Sequence, residues 1–157
     1  QAALDEGFVL RGGVAIGSAY WDENGIVGPA LVDAYRLESR LAKTARVLLG
    51  ETLLLTLAKV RLRDAYDWES FLIKWPDGLI GFSPIPIALS KDRPRATIVE
   101  RVRCLQAACA ERPHDAAKYE LLIRILENPD RAHVPSVAEI QAGATEVLNR
   151  TQSLLTG

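Results

Sequence analysis

Cysteine and histidine are scarce in this chain. The only cysteines are Cys104 and Cys109, and the only histidines are His114 and His133. The cysteines lie five positions apart on one predicted helix, so their side chains point in different directions and a disulfide within that helix is not expected. Two thiols and two imidazoles at these positions lack the spacing of a Cys/His metal site. The sequence therefore predicts neither a disulfide framework nor a Cys/His metal centre.

Long apolar runs and an excess of one charge are also missing. No apolar run reaches the ~18 residues that span a bilayer, and the first residues show no signal-peptide pattern, which together predict a cytoplasmic protein without a membrane span. A formal charge of −1 and a pI near 6.2 argue against a general nucleic-acid binder, whose phosphate contacts need a basic excess. The sequence also contains no P-loop, no dinucleotide-binding fingerprint and no G-x-S-x-G motif.

The most informative stretch is residues 8–42. Residues 8–16 are mostly apolar and β-branched and predict a strand, and residues 19–27 predict a hairpin around the turn at 22–25. The turn contains Asn24-Gly25, which is the strongest short-range hairpin signal. Pro29 then predicts a helix start, since proline at the first helical position loses no hydrogen bond. The spacing of the apolar residues predicts one buried stripe on that helix, made of Leu31, Ala34, Leu37, Leu41 and Ala42.

The rest of the chain predicts alternating short strands and helices, then helices alone. Gly7 predicts the left-handed cap of a helix that ends in 1–7. Ser136 and Glu139 form a capping-box pattern at the start of the last helix. The predicted elements are a strand at 45–49, a helix at 51–60, strands at 67–75 and 79–82, a connector at 84–94, and helices at 95–111, 115–127 and 136–155. This order favours an α+β fold with a split β-α-β unit.

Two motifs in the informative stretch carry a family resemblance. RGGVAIG at 11–17, followed by GPALVDAYRLE at 28–38, resembles the second half of a class III nucleotidyl cyclase homology domain. The sequences of the two motifs are most similar to those of the bacterial branch that includes the Pycsar antiphage cyclases. The resemblance extends over roughly residues 7–83 and implies a ferredoxin-like split β-α-β cyclase core over 1–83, with a C-terminal helical appendage at 95–157 packing on the same domain.

The resemblance implies an activity and its requirements. The enzyme would convert UTP or CTP to the 3′,5′-cyclic monophosphate plus pyrophosphate, as a second messenger in antiphage defence. It would need Mg²⁺ or Mn²⁺ and would work as a homodimer with composite active sites. Because the chain begins at Gln1 and contains no methionine, we expect the first half of the domain, with its metal-binding aspartates, to lie upstream. An ordinary adenylate or guanylate cyclase, and a degenerate module that binds a nucleotide or protein partner, are the alternatives.

Residues can be carried over from the family only where its pattern matches. Arg36 matches the arginine that donates to the phosphates, but Val32 stands where the family has a ribose-orienting asparagine. Asp33 or Asn24 could take that role from a neighbouring position. The position of the purine-reading side chain is Gly25, which fits a pyrimidine substrate and equally an inactive protein.

Two more cations are candidates for the substrate's phosphates. Arg11 stands beside two glycines that let a backbone or a ligand come close, although a structural ion pair is the commoner use of such an arginine. Lys74 lies where similar cyclases place a lysine toward the β- and γ-phosphates. For Arg36, the alternative to a phosphate contact is an exposed ion pair with Asp33 or Glu38.

Overall fold

The computed structural model describes residues 6–60, 68–85 and 94–156. These residues form six short strands, each of three residues, and five α-helices. The strands are β1 (Gly12–Val14), β2 (Tyr20–Asp22), β3 (Gly25–Val27), β4 (Val47–Leu49), β5 (Leu72–Lys74) and β6 (Ile80–Phe82). The helices are α1 (Pro29–Arg36), α2 (Glu51–Lys59), α3 (Arg95–Ala107), α4 (Pro113–Glu127) and α5 (Val137–Thr156).

Four strands form one mixed sheet in the order β1-β4-β6-β5, and β2 and β3 form a separate two-stranded ribbon. β1 and β4 are parallel, whereas β6 is antiparallel to both of its neighbours. Because β1 and β4 pair directly, no strand lies between them in the described part of the chain. Within that part the β-α-β unit is therefore continuous, where the sequence had predicted a split one, and the coarser prediction of a mixed α and β fold with C-terminal helices is confirmed.

One face of the sheet is covered by α1 because Gly13 has no side chain. A Cβ at Gly13 would lie 2.5 Å from the carbonyl oxygen of Ala34 and would also overlap Leu37. The helix backbone thus rests directly on the strand. A π-helical turn, Leu37–Leu41, continues α1, with the amide of Ala42 bonded to the carbonyl of Leu37 at 2.8 Å. This wider turn buries Leu37, Leu41 and Ala42.

The opposite face is covered by α2 and α5. In the sheet register Val14, Leu49, Ile80 and Lys74 form one row across the four strands, on the face opposite Gly13. α5 packs on this row because Gly143 brings its backbone close to Ile80. Side chains of α5 therefore belong to the same core as the sheet: Ile140, Ala144 and Val147 are buried in one cluster with Leu48, Leu49, Leu54 and Ile80.

Helices α3 and α4 build a second, smaller core against the chain before β4. They contribute apolar residues that pack on Ala45, and the amide of Ala45 donates to the carbonyl of Lys118 at 3.2 Å. The buried members are Ile98, Val99, Val102, Leu122, Ile123 and Leu126. Among the residues described, no helix is long and apolar enough to cross a membrane.

Several predicted elements differ in extent. Of 8–16 only Gly12–Val14 is a strand, because its partner β4 offers three residues to pair with. Of 67–75, Trp68–Phe71 is a 3₁₀ turn and only Leu72–Lys74 is a strand. Leu31 is exposed, although it was predicted to be buried, since α1 meets the sheet only through its last turn. Gly7 has the predicted positive φ of 86°, and residues 1–5 of its helix lie outside the described residues.

Candidate functional site

A cavity of about 170 Å³ opens at the carboxyl ends of the parallel strands β1 and β4. Ligands of α/β folds commonly bind at such an edge, where loops after parallel strands converge. The walls come from α1, from the first turn of α2 and from the last third of α5. Its polar lining residues are Asp33, Arg36, Glu51, Thr52, Thr151 and Gln152. We call it the strand-end cavity.

Arg36 is the cation of the strand-end cavity. It ends α1, and the burial of the next residue, Leu37, fixes the helix on the sheet. Its guanidinium lies 3.5 Å from Asp33, one turn earlier, and the two side chains are 40% and 55% exposed. An exposed pair of this kind contributes only about 0.3–0.5 kcal/mol. Arg36 is therefore free to exchange this partner for a stronger anion, such as a phosphate.

The first turn of α2 adds a second positive feature to the strand-end cavity. Gly50 follows β4, its amide donates to the carbonyl of Val14 at 2.8 Å, and α2 starts at the next residue. The amides of a helix's first turn carry partial positive charge. Together with Arg36 they can bind an anion. The carboxylates of Asp33 and Glu51 give the charged lining residues a net charge of −1, and they can accept hydrogen bonds from hydroxyl groups.

The other predicted phosphate contacts lie elsewhere. Arg11 forms an ion pair with Glu38 and lines a different cavity, near the α3–α4 connection. Asn24 lies at the tip of the β2–β3 hairpin, where its backbone N–H donates to the carboxylate of Asp22 at 2.8 Å. Neither residue lines the strand-end cavity. Of the two side chains predicted to substitute for the missing asparagine, only Asp33 shares a cavity with Arg36.

Lys74 is held by a polar cluster at the start of α5. Its ammonium lies 3.0 Å from Glu139, which is also 2.8 Å from the imidazole of His133. The backbone N–H of Ser136 donates to Glu139, completing the predicted capping box. That hydrogen bond, followed by those of His133 and Lys74, holds the pKa of Glu139 far below its ordinary value. Lys74 lies at the same end of the sheet as the strand-end cavity, but about 10 Å beyond β4 by strand spacing.

Sequence reasoning missed a buried ion pair between the residue before β4 and the β5–β6 turn. Arg46, only 6% exposed, donates two hydrogen bonds to Asp77, at 2.9 and 2.7 Å, and a third to the carbonyl of Leu41. Its guanidinium also lies 5.6 Å from the ring centre of Trp75. Burial opposes the charge on Asp77, but the hydrogen bonds and charge of Arg46 outweigh it and lower the pKa. An arginine inside an apolar strand was the available signal, since a buried charge requires a partner.

The β2–β3 hairpin and α1 expose several large apolar side chains. Gly28, with φ 144°, joins them, and a Cβ there would lie 2.6 Å from the carbonyl of Ser18. The three aromatic side chains are 67–83% exposed, and exposed tyrosine and tryptophan side chains are enriched at protein interfaces. We call this set the hairpin surface: Tyr20, Trp21, Ile26, Val27, Val32 and Tyr35.

Comparisons with protein-family models, with curated proteins and with solved structures find no match to this chain. The described residues also contain no group of three or more His, Cys, Asp or Glu side chains that could hold a metal ion. Functional inference therefore depends on the strand-end cavity, the hairpin surface and the resemblance of the two sequence motifs.

Proposed function

We propose that this chain is part of a class III nucleotidyl cyclase that converts UTP or CTP to a 3′,5′-cyclic monophosphate and pyrophosphate in antiphage defence. The observation that carries the proposal is Arg36 in the strand-end cavity, beside the first turn of α2. The finer fold assignment, a ferredoxin-like cyclase core, is part of the same proposal.

Arg36 is the proposed donor to the triphosphate. Cyclisation is an attack of the 3′ hydroxyl on the α-phosphate with pyrophosphate as the leaving group, so negative charge shifts onto the leaving oxygens. A guanidinium fork stabilises such charge through two parallel hydrogen bonds. In this proposal Arg36 leaves the weak pair with Asp33 and binds the phosphates, and the Asp33 carboxylate accepts a hydrogen bond from the ribose.

The proposed enzyme is a homodimer whose partner contributes to the site. The hairpin surface supports this, because a two-stranded ribbon with three-residue strands is marginal alone and here both of its faces are exposed. Tyr35 and Val32 place this surface on the same helix as Arg36. A partner docked there would lie beside the strand-end cavity.

The metal requirement is implied by the family and not by the residues described here. Asp33 and Glu51 are the carboxylates of the strand-end cavity, and the described residues contain no group of three or more His, Cys, Asp or Glu side chains that could hold a metal ion. No step is therefore assigned to a metal held by this chain, and Arg11 and Lys74 keep their ion pairs in the proposed reaction.

The test is product analysis with the intact protein. Incubation with Mn²⁺ and ATP, GTP, CTP or UTP singly, followed by mass spectrometry, should yield a cyclic pyrimidine nucleotide. Arg36→Ala should lower kcat on the order of 10²–10³-fold, the usual loss of one charge-stabilising donor. Arg40→Ala is the matched control, since Arg40 is exposed on the adjoining turn and lies outside the cavity. Equal turnover by Arg36→Ala and Arg40→Ala contradicts the proposal.

A cyclic purine product would make the protein an ordinary adenylate or guanylate cyclase. The second candidate function is a degenerate module that binds a nucleotide or partner without turnover. Val32 favours it, since an apolar side chain that is 45% exposed stands where the ribose-orienting asparagine is expected. Absence of any cyclic product, together with nucleotide binding that Arg36→Ala abolishes, supports this candidate.

A further inference from the structure

A second cavity, of about 380 Å³, lies at the opposite end of β1 from the strand-end cavity. It is bounded by the chain before β1, by the turn before β4 and by the α3–α4 connection. Three of its lining side chains are cationic and one is anionic: Arg11, Arg112, Lys118 and Asp115. This excess of positive charge in a chain of net charge −1 marks it as a local anion site.

Two of the three cations of this second cavity, Arg112 and Lys118, pair with the same carboxylate, whereas Arg11 pairs with Glu38. Asp115 lies 2.6 Å from the ammonium of Lys118 and 3.2 Å from the guanidinium of Arg112. The hydrogen bond and charge of Lys118 lower the pKa of Asp115, so it is ionised at neutral pH. The side chain of Arg112 is 68% exposed, which makes its share of the pairing small. An incoming dianion can therefore compete with this single carboxylate for both cations.

Thr44 and Tyr119 also line the second cavity. Thr44 lines it with a buried hydroxyl that has no hydrogen-bond partner in the described part of the chain. Leaving a buried hydroxyl unpaired costs free energy that an incoming acceptor would recover. Tyr119 presents a half-buried ring on the same wall. The volume falls in the range of small-molecule sites and exceeds what a bare phosphate would fill.

We infer that the second cavity binds a small phosphate monoester. The phosphate lies between Arg112 and Lys118 and accepts a hydrogen bond from Thr44, and the organic group lies against Tyr119. This binding is independent of the proposed cyclase activity, because the two cavities share no lining residue.

The test is calorimetric titration of the intact protein with phenyl phosphate and with inorganic phosphate at constant ionic strength. Phenyl phosphate should bind saturably and more tightly than inorganic phosphate. Arg112→Gln should weaken phenyl phosphate binding about tenfold or more, the usual effect of one charged hydrogen-bond partner. Arg124→Gln is the matched control, since Arg124 is equally exposed on α4 but pairs with Glu120 outside the cavity. Equal binding by the two variants, or equal affinity for both probes, overturns the assignment.

Two more variants separate a binding role from a structural one. Asp115→Asn removes the competing carboxylate and should tighten phenyl phosphate binding on the order of tenfold, the effect of one charge on a dianion at ~5 Å in water. Thr44→Val should weaken binding without lowering thermal stability, because its buried hydroxyl has no partner to lose. Weaker binding by Asp115→Asn, or unchanged binding by Thr44→Val, contradicts the geometry inferred here. Arg36→Ala should bind phenyl phosphate normally whether or not it retains cyclase activity.

Discussion

Replacing Gly13 by alanine should push α1 off the sheet, whereas the same change at Gly12 should not. The new Cβ at 13 would lie 2.5 Å from the carbonyl oxygen of Ala34, about 1 Å inside an ordinary carbon contact. Backbone cannot rotate away as a side chain can, so the helix must move. At Gly12 the nearest atoms to an added Cβ are 3.9 Å away, on Val47. The two adjacent glycines thus form a matched pair.

The magnitude follows from two opposing terms. Forced overpacking costs about 1–3 kcal/mol or more, and replacing glycine by alanine recovers about 0.4–1 kcal/mol through the unfolded state. Gly13→Ala should therefore lose about 2 kcal/mol in the free energy of unfolding, and Gly12→Ala should lose nothing or gain slightly. In a chain of this length the loss corresponds to a Tm lowered by about 5 °C.

Urea denaturation followed by circular dichroism measures both variants directly. Since Arg36 lies two residues beyond Ala34, the shift of α1 should also move its guanidinium and reduce any activity of the strand-end cavity. Differences below about 0.5 kcal/mol are within the scatter of such comparisons. If Gly13→Ala and Gly12→Ala agree within that limit, the close approach of α1 is not the reason for glycine at position 13.

Three other perturbations have defined outcomes. Trp21→Ser should convert a dimer to a monomer in sedimentation analysis without lowering the monomer's stability. The control Val60→Ser, at an exposed position away from the hairpin, should leave the dimer intact. A dimer that survives Trp21→Ser contradicts the role of the hairpin surface. Asp77→Asn should cost about 2–3 kcal/mol in urea denaturation, less than a fully buried pair because Asp77 is a third exposed. The pKa of Asp77 is lowered from 3.8 on folding, so its contribution to the free energy of unfolding is present at neutral pH and is lost as the pH falls below that value. Asp77→Asn should therefore reduce the loss of stability at acid pH. An unchanged loss of stability at acid pH would assign that loss to other groups. Glu139→Gln should lower Tm at pH 7. Since the pKa of Glu139 is also lowered on folding, the difference in Tm between the variant and the wild type should become smaller as the pH falls. A difference in Tm that stays constant with pH indicates loss of packing alone.

Local features were predictable from the sequence because their causes are local. The hairpin turn follows from Asn24-Gly25 and from Asp22, whose carboxylate accepts the amides of both residues. The capping box of α5 follows from Ser136 and Glu139, three residues apart. In both cases the hydrogen-bonding partners are two or three residues apart, so the local sequence is enough to predict the contact.

Features that depend on distant residues were not predictable. Arg46 and Asp77 are 31 positions apart, and nothing in either neighbourhood identifies the other. The glycines at 12 and 13 indicated a close approach, but only the fold shows that α1 is what approaches Gly13. Likewise Arg11 and Arg36 lie on two motifs that read as one unit, yet the structure puts them in separate cavities.

The coverage of the sheet by α5 has a consequence for the timing of folding. Ile80 and Leu49 of the sheet are buried against Ile140 and Val147 of α5. At ordinary rates of synthesis, α5 leaves the ribosome several seconds after the sheet strands. During that interval the apolar face of the nascent sheet that α5 covers in the folded protein is exposed to solvent. Protein synthesis interrupted before α5 would therefore give an aggregation-prone fragment, a natural client for a chaperone, and not a smaller folded domain.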